Sequence, residues 1–162
     1  MESEPKGGID QMTRHLDTLG IPYEVVEHER AFTAASEADA AGVPAANAAK
    51  SVLLHDEEGY RLAVIPAAER LDFGKVRDLL GISRASLRLA TEKQMGAEFP
   101  EFELGAIPPL GEMLPVPEIV DSRVLDHERV LCNAGDHAHS VLLDPNDIVR
   151  ASDARVADVC QD

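Results

Sequence analysis

Ala48-Ala49-Lys50-Ser51-Val52-Leu53-Leu54-His55 is a short apolar run with a lone lysine at its mouth, and it follows an Ala-rich segment. The run reads as a strand, and the residues beyond it decide its partner. Asp56-Glu57-Glu58-Gly59 is a polar turn, and Tyr60 to Pro66 is a second apolar run of matching length. Two such runs joined by a short Gly-containing turn predict an antiparallel hairpin. Lys50 therefore stands at a strand end, one of four lysines against eleven arginines. Such a lysine can present a compact positive charge to a carbonyl, carboxylate or phosphate oxygen. It can equally snorkel, with its stem on apolar surface and its ammonium in water.

N-terminal to the hairpin, Ile9, Met12, Leu16 and Leu19 recur at helical spacing and Gly20 follows, which predicts a helix over 9–19. Pro22 to His28 has strand composition. Ser36 is read as the N-cap of a short helix through Ala41, closed by Gly42, and Pro44 as opening a second Ala-rich helix that leads to Lys50. On the C-terminal side, Leu71 to Leu80 reads as a helix ended by Gly81. Ser86 to Ala90 reads as a strand and Thr91 to Phe99 as a helix capped by Thr91. Glu118 to Ser122, Arg129 to Asn133 and Ser140 to Leu143 read as strands, and Asp144-Pro145 starts a closing helix through Val149. The fold class expected is α+β: one domain with a mixed, largely antiparallel sheet flanked by helices, spanning 9–162 after a flexible acidic lead-in over 1–8.

The chain is long enough to bury about two-thirds of its unfolded surface. Its 44% apolar and 28% charged content is that of an ordinary globular protein. No run approaches the length of a membrane span, and the polar start lacks a signal-peptide core, so a cytoplasmic protein is expected. Cys132 and Cys160 are then free thiols. A formal charge of -15 favours solubility and works against non-specific nucleic-acid binding; no DNA partner is expected. The charge is uneven, because seven basic residues fall between Arg61 and Lys93 while the first forty residues are acidic. Acidity of this kind also suits a salty host cytoplasm.

Gly105-Ala106-Ile107-Pro108-Pro109-Leu110-Gly111 is the second informative stretch. Two prolines between two glycines fix a loop that cannot pair along a sheet. It can hold its N–H groups toward a ligand oxygen without reorganisation, or it can simply reverse the chain. In Asp136-His137-Ala138-His139, the two histidines would share a face if they lay on a strand. HxH without further ligands at defined spacing is a weak metal signal, so neither metal nor cofactor is expected. His137 can instead face solvent or orient a substrate amine or carbonyl. Cys132, in a predicted strand, reads as core; pairing with His137 as a thiol nucleophile is the alternative. Asp121 and Asp126 read as solvated or capping carboxylates.

Taken together, Lys50 in Ala-Ala-Lys-Ser-Val-Leu-Leu, the Gly105–Pro109 loop, and Asn133-Ala-Gly-Asp-His137-Ala-His-Ser140 resemble the YbaK/EbsC family. That family includes the editing domain inserted in bacterial prolyl-tRNA synthetases and free-standing aminoacyl-tRNA deacylases. The similarity runs from about Tyr23 to Ile148. It implies hydrolysis of the ester joining a wrong amino acid to the terminal ribose of a tRNA, whose acceptor end is the expected partner. The resemblance assigns Lys50 a place near the terminal phosphate or ribose, and Gly105, Ala106, Ile107, Pro108 and Pro109 the aminoacyl pocket. His137 and Ser140 fall at the amino-acid end. Members acting on cysteinyl-tRNA carry an Asp where Ser140 stands, so cysteine is left open; the confined loop favours alanine or serine. A synthetase partner would bring an acidic protein to tRNA. The reading from a different class is a non-catalytic module that uses the same cleft for an aminoacyl, nucleotide or protein partner.

Overall fold

The hairpin predicted around Lys50 is the longest ladder of the molecule. The computed structural model describes residues 9–83, 86–103 and 106–162. Strands β2 (Ala49–Asp56) and β3 (Gly59–Pro66), numbered after β1 (Glu24–Glu27), pair antiparallel from Ala49↔Pro66 to Asp56↔Gly59. Gly59 takes a φ of 128°, which only glycine adopts without strain. Each strand alternates its side chains between two helical layers. Leu53, Leu62 and Val64 face the main core with Met12 and Leu16 of α1 (Ile9–Leu19). Leu54, Ala63 and Ile65 face a second cluster with Val76 of α3 (Phe73–Leu80).

Around this hairpin the chain builds two sheets. The larger has the order β4-β2-β3-β5-β8, with β4 (Arg88–Leu89) antiparallel to β2, and β5 (Glu118–Asp121) and β8 (Arg155–Ala157) added in parallel. The smaller is wholly antiparallel, β1-β7-β6, from β6 (Val130–Asn133) and β7 (His139–Leu143). A single parallel bridge, Ala48↔Leu131, joins them. Helix α2 (Ala34–Ala41) lies over this junction, where Ala38 packs with Ala48 and Leu131. The α+β class with mixed, largely antiparallel pairing is borne out; the expected one sheet is two, meeting at a seam.

Several local readings are corrected. The N-cap of α2 is Thr33: its hydroxyl accepts from the Ser36 N–H at 3.0 Å while the Ser36 hydroxyl accepts from the Thr33 N–H at 3.1 Å. Ser36 is the reciprocal member of a capping box in which serine replaces the usual Glu or Gln. Pro44 opens only a 3-10 turn, Ala45–Asn47, because the backbone is already extended at Ala48. The closing helix α5 (Pro145–Ser152) runs three residues past Val149, and β8 has no counterpart in the sequence reading. Asp121 does cap a turn, accepting from the Arg123 N–H, but it is fully buried and not solvated. It also accepts from the Val159 N–H and pairs with the Arg123 guanidinium. Helix α4 (Glu92–Glu98) carries the predicted Thr91 cap. No described helix is long and apolar enough to cross a membrane.

Candidate active site

The seam places Lys50. Ala48 and Leu131 are bridged in parallel, so Lys50 and Asn133 each stand two residues further along, on the face that Ala48 and Leu131 turn to α2. Lys50 is half-buried, and its ammonium donates to the Glu69 carbonyl at 3.0 Å. No carboxylate among the described residues pairs with it. Beside it opens a cavity of about 480 Å³, mostly apolar, with Arg70, Leu71, Phe73, Met95 and Ile107 in its wall. Lys50 and Ile107 are the two predicted site residues in that wall. A hollow of about 520 Å³ lined by Tyr23, Glu128, Arg129 and Asp144 holds none of them.

The proline loop is buried and pinned at both ends. Ala106, Ile107, Pro108 and Pro109 are all buried, while Gly105 lies outside the described residues. At the near end the Ala106 N–H donates to the Glu103 carbonyl, and the Glu103 N–H to the Gly135 carbonyl. At the far end the Gly111 N–H donates to the buried carboxylate of Glu118. Burial pushes that carboxyl up to about 8, against the opposing pull of the Gly111 bond. A Cβ on Gly111 would sit 2.7 Å from the Val116 carbonyl, so only glycine fits there.

Glu103 also ties the loop to His137. Its carboxylate accepts from the His137 backbone N–H at 2.8 Å and from the Arg30 guanidinium at 3.0 Å, and these two bonds hold it below the usual carboxylate range despite burial. The His137 ring is buried, with Nδ1 3.0 Å from the Ala31 carbonyl, so Nδ1 carries the proton. Phe32 packs on that ring at 4.7 Å between centroids. His137 precedes β7 and His139 opens it, so the two do not share a strand face as an HxH site would need. His139 instead turns to Asp136 at 3.0 Å. Among the described residues no three His, Cys, Asp or Glu side chains converge as a metal site.

Ser140 belongs to a buried polar cluster on the other side of the seam. It faces Asn133 across the β6–β7 ladder, and its hydroxyl donates to the Glu37 carboxylate. His28 Nε2 lies 2.8 Å from the same hydroxyl. The Asn133 amide, oriented with its nitrogen toward Glu37, donates there too. Burial raises the Glu37 carboxyl to about 7, with the Ser140 bond pulling the other way. Glu37, Asn133, His28 and Glu103 escape sequence reading: a glutamate in an Ala-rich helix looks solvated, and only the crossing of α2 over the seam buries it. The predicted residues are thus joined as neighbours along a seam and a pinned loop, and do not all line one pocket.

The thiols stand apart. Burial drives the Cys132 thiol far above its ordinary range, and burial together with Asp121 pushes Cys160 up to about 12. A thiolate nucleophile is unavailable in that setting.

A family model for the aminoacyl-tRNA editing domain matches residues 28–151. Among solved structures, one described as a candidate trans-editing enzyme for prolyl-tRNA synthetase shares 27% identity with a TM-score of 0.84. It is matched over 99% of this chain and 100% of that one. A protein from work on computational epitope grafting onto scaffolds shares 26% identity, again with a TM-score of 0.84, over 99% of each chain. The hypothetical protein APE2540, at 23% identity and a TM-score of 0.82, shares the fold. With the model covering most of the chain, and Lys50, Ile107, His137 and Ser140 all inside the matched stretch, the protein belongs to the aminoacyl-tRNA editing domain family.

Proposed function

We propose that this protein is a trans-acting deacylase that hydrolyses the ester of a tRNA mischarged with a small amino acid, alanine or serine in preference to cysteine. The observation that carries the reading is Lys50: a half-buried cation with no carboxylate partner among the described residues, at the mouth of a cavity whose wall includes Ile107 of the pinned loop. The ester is already activated, so no protein nucleophile is needed, and the raised thiols offer none. Water adds to the ester carbonyl, the bond to the ribose oxygen breaks, and the products are a free amino acid and a tRNA hydroxyl. Lys50 fixes the negative end of the nucleotide, and the loop, pinned at both ends, confines the aminoacyl end without reorganisation. Buried Ala106, Ile107, Pro108 and Pro109 leave little room for a large side chain. Similarity to a candidate trans-editing enzyme over the full length of both chains supports action on a tRNA charged elsewhere.

The test is a panel of tRNAs mischarged with alanine, serine or cysteine, assayed with wild type and Lys50→Ala across low and high salt. Release of alanine or serine, lost in the variant, is expected. No release from any member at any salt overturns the proposal. Tight tRNA binding without turnover would establish the non-catalytic module instead.

A further inference from the structure

The proline loop, the β6–β7 turn and the segment that enters α2 all converge on Glu103. Its main chain serves the first two: the N–H donates to the Gly135 carbonyl at 2.9 Å, and the carbonyl accepts from the Ala106 N–H at 3.0 Å. Its carboxylate divides between the other two. One oxygen accepts from the His137 backbone N–H at 2.8 Å and the other from the Arg30 guanidinium at 3.0 Å. The segment that carries Arg30 is laced to the turn as well. The His28 N–H donates to the Ala138 carbonyl and the Ala31 N–H to the His137 carbonyl, both at 3.0 Å.

The second oxygen leads back to the same histidine. Arg30 lies over the Phe32 ring, 5.4 Å from its centroid, and Phe32 packs on the His137 ring. Phe32 is 62% exposed, so burial does not hold it in place; the Arg30 cation and the imidazole do. Glu103 thus brackets His137, reaching its main chain from one oxygen and its ring, through Arg30 and Phe32, from the other. The Glu103 and Arg30 side chains are 39% and 55% exposed, and an ion pair so placed adds little to stability. What it fixes is geometry.

We infer that Glu103, with Arg30, is a positioning residue that sets the spacing and tilt of His137 relative to the loop over Ala106 to Pro109. That the positioned group is an aminoacyl ester rests on the deacylase reading; the bracket itself does not. Glu103→Ala removes the carboxylate but leaves both main-chain bonds, so the loop stays attached while His137 loses its bracket. Glu103→Gln keeps an acceptor for the His137 N–H and loses the charge toward Arg30.

The experiment measures melting and deacylation of alanine-charged tRNA for wild type, Glu103→Ala, Glu103→Gln, Arg30→Ala and the double variant Arg30→Ala/Glu103→Ala. Each protein is also titrated with 3′-alanylamino-3′-deoxyadenosine, whose amide replaces the ester. Glu103→Ala loses about thirtyfold in kcat and binds the amide about fivefold more weakly, with melting little changed. Glu103→Gln recovers most of kcat, and Arg30→Ala falls between. Adding Arg30→Ala to Glu103→Ala changes nothing further, because Arg30 acts through the carboxylate. Losses that track the folded fraction in every variant, or additive effects of the two alanine replacements, overturn the inference. If wild type hydrolyses the tRNA and Glu103→Ala matches it in kcat and amide binding, the bracket is idle and the deacylase reading stands. If the amide binds with the expected pattern and no tRNA is hydrolysed, the positioning role stands and the deacylase reading falls. Neither hydrolysis nor binding removes both.

Discussion

The hydroxyl of Ser140 donates to the carboxylate of Glu37 where α2 crosses β7, and both side chains are buried. His28 Nε2 lies 2.8 Å from the same hydroxyl, so Glu37, Ser140 and His28 form one buried hydrogen-bonded row. Asp136 and Cys132 also face this group, and Asn133 donates to it. A carboxyl placed here holds two strands and a helix together, and it does so differently in its two charge states.

Stability should therefore fall as pH rises through neutrality. Glu37 is raised from 4.5 to about 7 and Glu118 from 4.5 to about 8. Between these values the folded protein keeps protons that the unfolded chain has released, so folding takes up protons and weakens with rising pH. The stabilisation is complete below about pH 4.5 and gone above about pH 8. For Glu37 it is worth on the order of 3 kcal/mol. Asp56, Glu103 and Asp136 are lowered, so their contribution is lost at the acid end instead, as pH falls toward and through their folded values. Melting followed from pH 5.5 to 8.5 should show a steady decline in wild type. Glu37→Gln should flatten the lower half and Glu118→Gln the upper. A level wild-type profile would contradict the assignment.

Gly111→Ala should destabilise far more than Gly42→Ala. At Gly111 the added Cβ meets the Val116 carbonyl at 2.7 Å and Glu118 at 3.0 Å, both behind the loop. Backbone must shift, at a cost of about 1–3 kcal/mol, and the loop shifts with it. Gly42 takes φ 74° with nothing within 4 Å, so alanine there pays only the left-handed strain of about 1 kcal/mol. Thermal melts separate the two, and deacylation should drop for Gly111→Ala alone. Equal losses would mean that the contact behind the loop is easily relieved.

What could be read ahead of the structure was local. Leu53, Leu54, Leu62 and Val64 with a Gly turn announce a hairpin, and Thr91 or Asp144 before a helical run announces a cap, because those signals lie within a few residues of their consequence. The seam could not be read. Ala48↔Leu131 joins residues with no shared pattern, and it is at this bridge that α2 packs on the two sheets and buries its own Glu37. Arg155–Ala157 escaped because a three-residue strand, exposed at two positions, has no apolar alternation to detect. The loop and Lys50 were visible as unusual residues, but their partners Glu103, Glu118 and Glu69 were visible only as charge.

Neither thiol should react in the native protein. Cys132 and Cys160 are fully buried and their pKa values are raised, so a thiol reagent at pH 8 should label both only after denaturation. Cys132→Ala should keep turnover within about twofold while losing roughly 1–2 kcal/mol of stability to the space it leaves. Loss of turnover with the fold intact would restore the thiol as nucleophile.

Lys50→Ala should separate catalysis from folding. Among the described residues the ammonium makes one hydrogen bond, to the Glu69 carbonyl, and no ion pair, so its removal costs at most about 1 kcal/mol. Turnover should fall by two orders of magnitude or more if the charge acts on the substrate in the transition state. Lys50→Arg keeps the charge but replaces a compact ammonium with a wider planar fork, so it should bind tRNA while recovering only part of kcat. Melting, KM and kcat measured on the same preparations decide the matter. A Lys50→Ala protein with unchanged melting and lost kcat places the lysine on the reacting nucleotide. One that melts early, with kcat scaling to the folded fraction, reduces it to a strand-end lysine covering apolar surface.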